Sequence, residues 1–346
     1  MLAKKGINEM EKTSHLKSPL LISATDQKHV LSGRYSDAIH VIEEAFRKNR
    51  RGEFLLPDKI SIIFDEEKQN RINCMPSALL SDKLYGMKWI SVFPDNPQKG
   101  LKNVTGTIVI SELDCGQLLA IMDAGFLTEI RTAAVGALAA KYLSREDSTT
   151  IGFIGAGQQA RRHLDLLKLA RPGLKTCYVS SRTESSVLSF IEEESVLHPD
   201  IDFVSCGNDF SKATCNADIV VTAISGQEAV LKAKWIKRGT LYIHVAGWED
   251  EYAVALMANK IVCDNWENVK HRTQTISRMY KEKIIDDSNI YGNLDEIICS
   301  EKNGRESNNE FIYFCSVGLA YIDISLAKYF YEQCLKEKIG FYYSFL

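Results

Sequence analysis

Thr150-Ile151-Gly152-Phe153-Ile154-Gly155-Ala156-Gly157-Gln158-Gln159-Ala160 is the stretch whose reading decides the fold. An apolar run of strand type enters a G-x-G-x-x-A turn, and the following residues place Ala160, Leu164 and Leu167 on one helical face. Each small residue has a task in that setting. Gly155 permits the tight turn, Gly157 lets backbone approach a pyrophosphate, and Ala160 lets helix and strand pack closely. The anion rests on N–H groups that the first helical turn leaves unpaired, so Gly155, Ala156, Gly157, Gln158 and Gln159 form a candidate cofactor-binding turn.

Beyond this turn, apolar strand-like and helical segments alternate. The helix is predicted to run to Ala170, stopped by Pro172-Gly173, and further strands are expected at Cys177–Val179, Phe203–Val204, Asp218–Val221, Leu241–Val245 and Lys260–Cys263. Such alternation predicts a doubly wound parallel sheet of Rossmann type. The second strand ends in Ser180-Ser181-Arg182-Thr183, where an enzyme selective for NAD places a carboxylate on the adenosine ribose. With no carboxylate there, Ser181, Arg182 and Thr183 suit a 2′-phosphate, and NADP(H) is expected over NAD(H). Thr222-Ala223-Ile224, after the fourth strand, is the expected nicotinamide edge. The fifth strand leads to Gly247 and the acidic run Trp248-Glu249-Asp250-Glu251, at the sheet edge where ligands of open α/β sheets bind. The segment from Asp286 to Asn309 is polar and gives weak signals, and a last helical pattern follows at Leu319, Ile322, Leu326, Tyr329, Phe330 and Leu335.

On the N-terminal side, Asp37–Arg47 carries the apolar stripe of an amphipathic helix. Short β-rich runs at Ile60–Phe64, Ile72–Met75, Tyr85–Val92, Thr107–Ser111 and Leu118–Asp123 predict an antiparallel meander, and alanine-rich Phe126–Leu143 predicts a long helix. The expected class is therefore α/β, a Rossmann sheet plus an α+β domain with an antiparallel sheet.

Composition narrows the function. The chain has 346 residues, 45% hydrophobic and 25% charged, with a formal charge of −3, which fits two ordinary globular domains and points away from nucleic acid or membrane partners. Nine cysteines are scattered and never spaced C-x-x-C, which favours reduced thiols in a cytoplasmic protein over a disulfide framework or metal site. Residues 1–20 have no apolar core and read as a flexible leader.

Cations stand out among the candidate site residues. Lys88 sits among apolar neighbours in a predicted strand, where a lysine needs a partner, and Lys59 shares its ambiguity. Arg131-Thr132 lies early in the long predicted helix, where free N–H groups and a guanidinium fork favour anions. Each has a bland alternative: a snorkelling strand lysine, a solvated helix arginine, a solvated acidic loop at Glu249.

Taken together, Gly86-Met87-Lys88-Trp89 with Asp95-Asn96-Pro97, Glu129-Ile130-Arg131-Thr132-Ala133-Ala134, and the glycine turn resemble the ornithine cyclodeaminase/mu-crystallin family. Met75-Pro76-Ser77, Asn293-Leu294, Asn303-Gly304-Arg305-Glu306, and Gly318-Leu319-Ala320 with Asp323-Ile324-Ser325 are similar to the branch acting on N-(2-amino-2-carboxyethyl)-L-glutamate in siderophore (staphyloferrin B) biosynthesis. The resemblance implies a homodimer with a substrate-binding and dimerisation domain over 21–128 and 306–346 and a dinucleotide-binding domain over 129–305. It also assigns roles. Lys88 would contact the substrate carboxylate and share in proton transfer, with Lys59 and Met75 nearby. Arg131 would hold substrate carboxylate, Arg131, Thr132 and Gly318 would serve the cofactor, and the family's catalytic aspartate falls at Glu249. Two departures stand out: glutamate for aspartate there, and Ser181-Arg182 where that branch has an acidic residue and uses NAD. The implied reaction is oxidation of a Cα–N bond to an imine that water opens, giving 2,3-diaminopropionate and 2-oxoglutarate. Alternatives are ornithine cyclodeamination, reduction of a cyclic imine, and a non-catalytic NADPH-binding protein of crystallin type.

Overall fold

A computed structural model describes residues 18–65, 68–224 and 227–344. In chain order, β1 (Leu20–Ile22) and α1 (Ala24–Leu31) precede α2 (Tyr35–Arg50). Strands β2 (Phe54–Leu55), β3 (Ile60–Asp65), β4 (Asn70–Leu79), β5 (Leu84–Val92), β6 (Val104–Glu112) and β7 (Leu118–Asp123) follow, then the long α3 (Gly125–Leu143). Next come β8 (Thr150–Ile154), α4 (Gln158–Ala170), β9 (Thr176–Ser180), α5 (Glu184–Leu197), β10 (Asp202–Ser205), α6 (Phe210–Cys215), β11 (Ile219–Thr222) and β12 (Leu241–His244). After α7 (Tyr252–Leu256) the chain adds β13 (Lys260–Cys263), α8 (Trp266–Val269), α9 (Thr275–Lys281), β14 (Gly292–Asn293), α10 (Leu294–Ile298) and β15 (Ile312–Cys315). It closes with α11 (Ala320–Glu337) and β16 (Phe341–Tyr342).

Two compact units divide the chain, one of Met1–Ser32, Gly52–Leu127 and Asp323–Leu346, the other of Gly33–Arg51 and Thr128–Ile322. The first holds a sheet of order β16-β1-β7-β6-β5-β4-β2, with β3 also paired to β4. From β3 to β7 each strand pairs antiparallel with the next, as the meander predicts. Along β5, Leu84, Gly86, Lys88 and Ile90 are buried while Tyr85 and Trp89 are exposed, the period-two pattern of a sheet with one covered face.

The second unit holds an all-parallel sheet of order β10-β9-β8-β11-β12-β15-β13-β14. Residues of β11, β12, β13 and β15 are buried throughout, because helices cover both faces, and their sequences therefore show no alternation. The strand order reverses between β8 and β11, which sets the switch point beside the glycine turn.

Three expectations need correction. Residues 1–17 of the expected leader over 1–20 lie outside the described residues, but Leu20 is buried and opens β1, paired with β7 and β16. The second unit runs past the expected Rossmann boundary at 305. β15 had no expected counterpart and slots between β12 and β13, so the second unit extends to Ile322. The helix α2 also belongs to this unit, because its charged face is tied there: Arg47 donates to the Ile298 carbonyl (2.9 Å), Asn49 to Asp295 (3.1 Å), and Glu43 accepts from Lys141 (2.7 Å).

Candidate active site

In the second unit, the predicted cofactor residues gather at the C-terminal edge of the parallel sheet. Gly155 has φ +107°, and a β-carbon there would come within 2.5 Å of the Ala223 carbonyl, so only glycine lets the β8 and β11 loops abut. The Gly155 N–H donates to Ser180 (2.9 Å) and Ala223 N–H donates to Ile154 (3.0 Å), which locks three of the predicted segments together. Gly157 is the N-cap of α4 and among the described residues no side chain caps the helix, leaving its first N–H groups for an anion. Gly157 and Gln158 are exposed, Gln159 is half-buried, and Ala156 and Ala160 are buried. These features fit a dinucleotide pyrophosphate. Arg161, which sequence reasoning passed over, braces the turn: its guanidinium donates to the Ala156 carbonyl (2.6 Å) and to Glu193 of α5 while lying over Phe190.

At the end of β9, Ser181 is half-buried, Arg182 and Thr183 are exposed, and Thr183 shares a 2.7 Å hydrogen bond with Ser186. Thr132 sits differently from a free phosphate donor, since its hydroxyl donates to the Thr128 carbonyl one turn back (2.7 Å).

Glu249 is wholly buried, not set on an open acidic edge. Its carboxylate accepts from Thr222 Oγ1 (2.8 Å), Ile224 N–H (2.9 Å) and Ala246 N–H (3.0 Å), so it binds the ends of β11 and β12 to one another. The backbone here is fixed from the other side as well: Leu231 N–H donates to Glu249 and Glu251 N–H donates to Leu231 (both 3.0 Å). Trp248 carries the Arg278 guanidinium over its ring at 4.6 Å.

Arg131 is nearly buried and meets the loop between β15 and α11. Gly318, with φ +78°, lies under its guanidinium. Asp264, at the end of β13, shapes that loop by accepting from Gly318 N–H (2.8 Å), Val317 N–H (2.9 Å) and Ser316 Oγ (3.2 Å). Burial pushes the Asp264 carboxyl up, against the pull of these N–H groups and of Arg131. Asp264 is not among the site residues expected from sequence, because its task is to hold backbone distant in the chain.

In the first unit, Lys88 is 1% exposed and its Nζ lies 2.7 Å from Asp323 of α11, which is the partner its sequence setting demands. Met75, also buried, pairs with Lys88 across the β4–β5 ladder. Ile60 pairs with Cys74, so the ladder carried one residue further puts half-buried Lys59 level with Met75. The structure therefore collects Lys59, Met75 and Lys88 in this unit, and Arg131, Thr132, Glu249, Gly318 and the three cofactor segments in the other.

A glycine-led, uncapped helix at the switch point of a parallel sheet is the arrangement of a dinucleotide-binding unit, and the other unit carries on its sheet a buried lysine paired with a carboxylate of α11. The chain belongs to the ornithine cyclodeaminase/mu-crystallin family, whose model matches residues 24–338. It is similar to the Thermococcus litoralis Δ1-pyrroline-2-carboxylate reductase solved with NADH and L-proline (32% identity, TM-score 0.88, covering 94% of this chain and all of that one). It is also similar to an archaeal alanine dehydrogenase dimer with bound NAD (29%, TM-score 0.85, 95% of this chain and all of that one). The N-((2S)-2-amino-2-carboxyethyl)-L-glutamate dehydrogenase of Staphylococcus aureus is 24% identical over 307 residues, 87% of this chain and 91% of that protein. The branch read from motifs is thus among the relatives, but overall identity is higher to the other two. The chain is an NAD(P)-dependent oxidoreductase of amino-acid-like substrates.

Proposed function

We propose that this protein oxidises the Cα–N bond of an N-substituted amino acid, N-(2-amino-2-carboxyethyl)-L-glutamate in the first instance, releasing 2,3-diaminopropionate and 2-oxoglutarate. The observation that carries the reading is the buried Lys88–Asp323 pair beside Met75, a cation on the covered face of the sheet that we read as a contact for a substrate carboxylate. Lys88 and Arg131 hold the carboxylates, with Lys59 assisting. Lys88 also shares in proton transfer, and Glu249 serves the nicotinamide edge as the group that takes a proton or orients water. The nicotinamide, when bound, receives the hydride. Thr132 and Gly318 border the cofactor.

NADP(H) is favoured over NAD(H), because Ser181, Arg182 and Thr183 at the end of β9 offer a cation and hydroxyls and no carboxylate. The working form is a homodimer. Ile60 and Trp89 both pair with Cys74 and are exposed on one sheet face together with Ile62, an apolar patch suited to a second copy, and the archaeal alanine dehydrogenase is a dimer. Among the described residues no helix is long and apolar enough to cross a membrane. A cytoplasmic setting suits nine unpaired thiols.

A second reading, reduction of a cyclic imine such as Δ1-pyrroline-2-carboxylate, is favoured by the identity to the Thermococcus reductase. Incubation with NADP+ or NAD+ decides between them. Growth of reduced-nicotinamide absorbance together with 2-oxoglutarate from N-(2-amino-2-carboxyethyl)-L-glutamate supports the first reading. Turnover confined to L-proline, or to pyrroline-2-carboxylate with reduced cofactor, supports the second and removes the first.

A further inference from the structure

We propose that Asp250 is the inner carboxylate of a buried proton relay, linked to Glu249 by His244 and by the hydroxyls of Thr222 and Tyr242, that takes up the proton released by substrate oxidation and returns it through Glu249 as products leave. The inference rests on the oxidative reading above. In that reaction a secondary ammonium, oxidised cofactor and water become a carbonyl, a primary ammonium, reduced cofactor and one proton. The secondary ammonium first gives up one proton; the nitrogen lone pair so freed forms the C=N bond as the Cα–H bond breaks and its hydride passes to the nicotinamide, and water adds to the resulting iminium to release the carbonyl compound and the primary ammonium. The proton given up by the ammonium needs an acceptor.

Two carboxylates stand ready, both completely buried and adjacent in sequence. One link is a hydroxyl chain: Glu249 Oε2 to Thr222 Oγ1 at 2.8 Å, Thr222 Oγ1 to Tyr242 OH at 2.8 Å, and Tyr242 OH to Asp250 Oδ1 at 3.3 Å. Each hydroxyl can accept from one neighbour while donating to the next, which is what a proton wire needs. The other link is an imidazole. His244 Nε2 lies 3.4 Å from Glu249 Oε2 and 3.7 Å from Asp250 Oδ1, and has no hydrogen-bond partner of its own among the described residues. Its Nδ1 is held by Cys315 Sγ at 3.2 Å.

A purely structural cluster would bury one carboxylate with a full set of donors. This one joins two carboxylates by two routes and leaves Asp250 Oδ2 without a hydrogen-bond partner among the described residues. Among the described residues, the groups facing Asp250 are Glu249 beside it, Tyr242 and His244 from β12, Tyr313 (3.1 Å) and Cys315 from β15, and Thr275 (2.6 Å) from α9. Burial raises its carboxyl to about 6, opposed by His244, Thr275 and Tyr313. Asp250 thus changes protonation close to neutral pH, where a relay is of use.

The test is the pH profile of oxidation for the unmodified enzyme, Asp250→Asn and Thr275→Val, from about pH 5 to 9. The unmodified enzyme should lose kcat on the acid side as Asp250 becomes protonated. Asp250→Asn should lack that limb and turn over about a hundredfold more slowly above neutrality, with KM for the cofactor unchanged. Thr275→Val, nearly isosteric, removes a donor to the carboxylate and should move the limb to higher pH. A limb unmoved in Thr275→Val, or a normal rate and profile in Asp250→Asn, overturns the relay while leaving the function standing. If Asp250→Asn does not fold, the Thr275→Val limb decides alone. Absence of oxidation by the unmodified enzyme with either cofactor overturns the function and the relay together.

Discussion

The guanidinium of Arg131 lies directly on the backbone of Gly318: a β-carbon at that position would come within 2.1 Å of Nη1 and 2.6 Å of Cζ. Substitution by alanine must therefore displace the far end of Arg131, in addition to straining a residue at φ +78°, which costs about 1 kcal/mol. We expect Gly318→Ala to fold and to raise KM for the amino-acid substrate about tenfold, a misplaced charge-assisted contact. Steady-state kinetics check this, and an unchanged KM would show that Arg131 does not grip substrate.

Lys88 and Asp323 are both essentially inaccessible, so removing one partner strands the other's charge. Lys88→Met and Asp323→Leu should each lose about 3 kcal/mol or more in urea unfolding. The combined variant should recover part of that loss, because an apolar pair replaces an ionic one, yet remain inactive. Recovery of activity in the double variant would mean that Lys88 serves packing alone.

Much of this was legible from sequence, for physical reasons that also explain the gaps. The strand, glycine turn and helix at 150–170 follow from local sterics, and the meander from alternation along β4 and β5. The β15 run Ile312–Cys315 is four residues long, buried on both faces and without alternation, and its partners β12 and β13 precede it by some fifty residues or more, so nothing local announces it. The acidic run at 248–251 looks solvated. Only the pairing of its backbone with Leu231, and the tyrosines brought in by β12 and β15, turn Glu249 and Asp250 inward. The Thr128 carbonyl that engages Thr132 was in plain view one helical turn away, but a hydroxyl's choice between backbone and ligand is not written in the sequence.

Cofactor choice can be tested at one residue. Arg182→Ala should weaken NADP+ about tenfold or more and leave NAD+ nearly unaffected, since only the 2′-phosphate needs the guanidinium. Equal losses with both dinucleotides, read as kcat/KM, would remove the argument for NADP+.

His163 offers a stability prediction independent of the chemistry. It is wholly buried, with Nδ1 donating to the Gln159 carbonyl (2.8 Å), and burial lowers it from 6.5 to about 4. The unfolded chain therefore binds a proton that the folded one refuses, and stability should fall as pH drops from about 6.5 to 4, by about 3 kcal/mol in all. His163→Gln should flatten that part of the pH–stability curve measured by denaturant unfolding. An identical slope in the variant would contradict the assignment.

The central claim is that a hydride leaves the Cα of an N-substituted amino acid for the nicotinamide bound at Gly155–Gln159. Substrate carrying deuterium at that carbon tests it directly. The account predicts reduced cofactor heavier by one deuteron, formed by the unmodified enzyme and lost in Lys88→Met. Reduced cofactor without deuterium, or none at all, would contradict it.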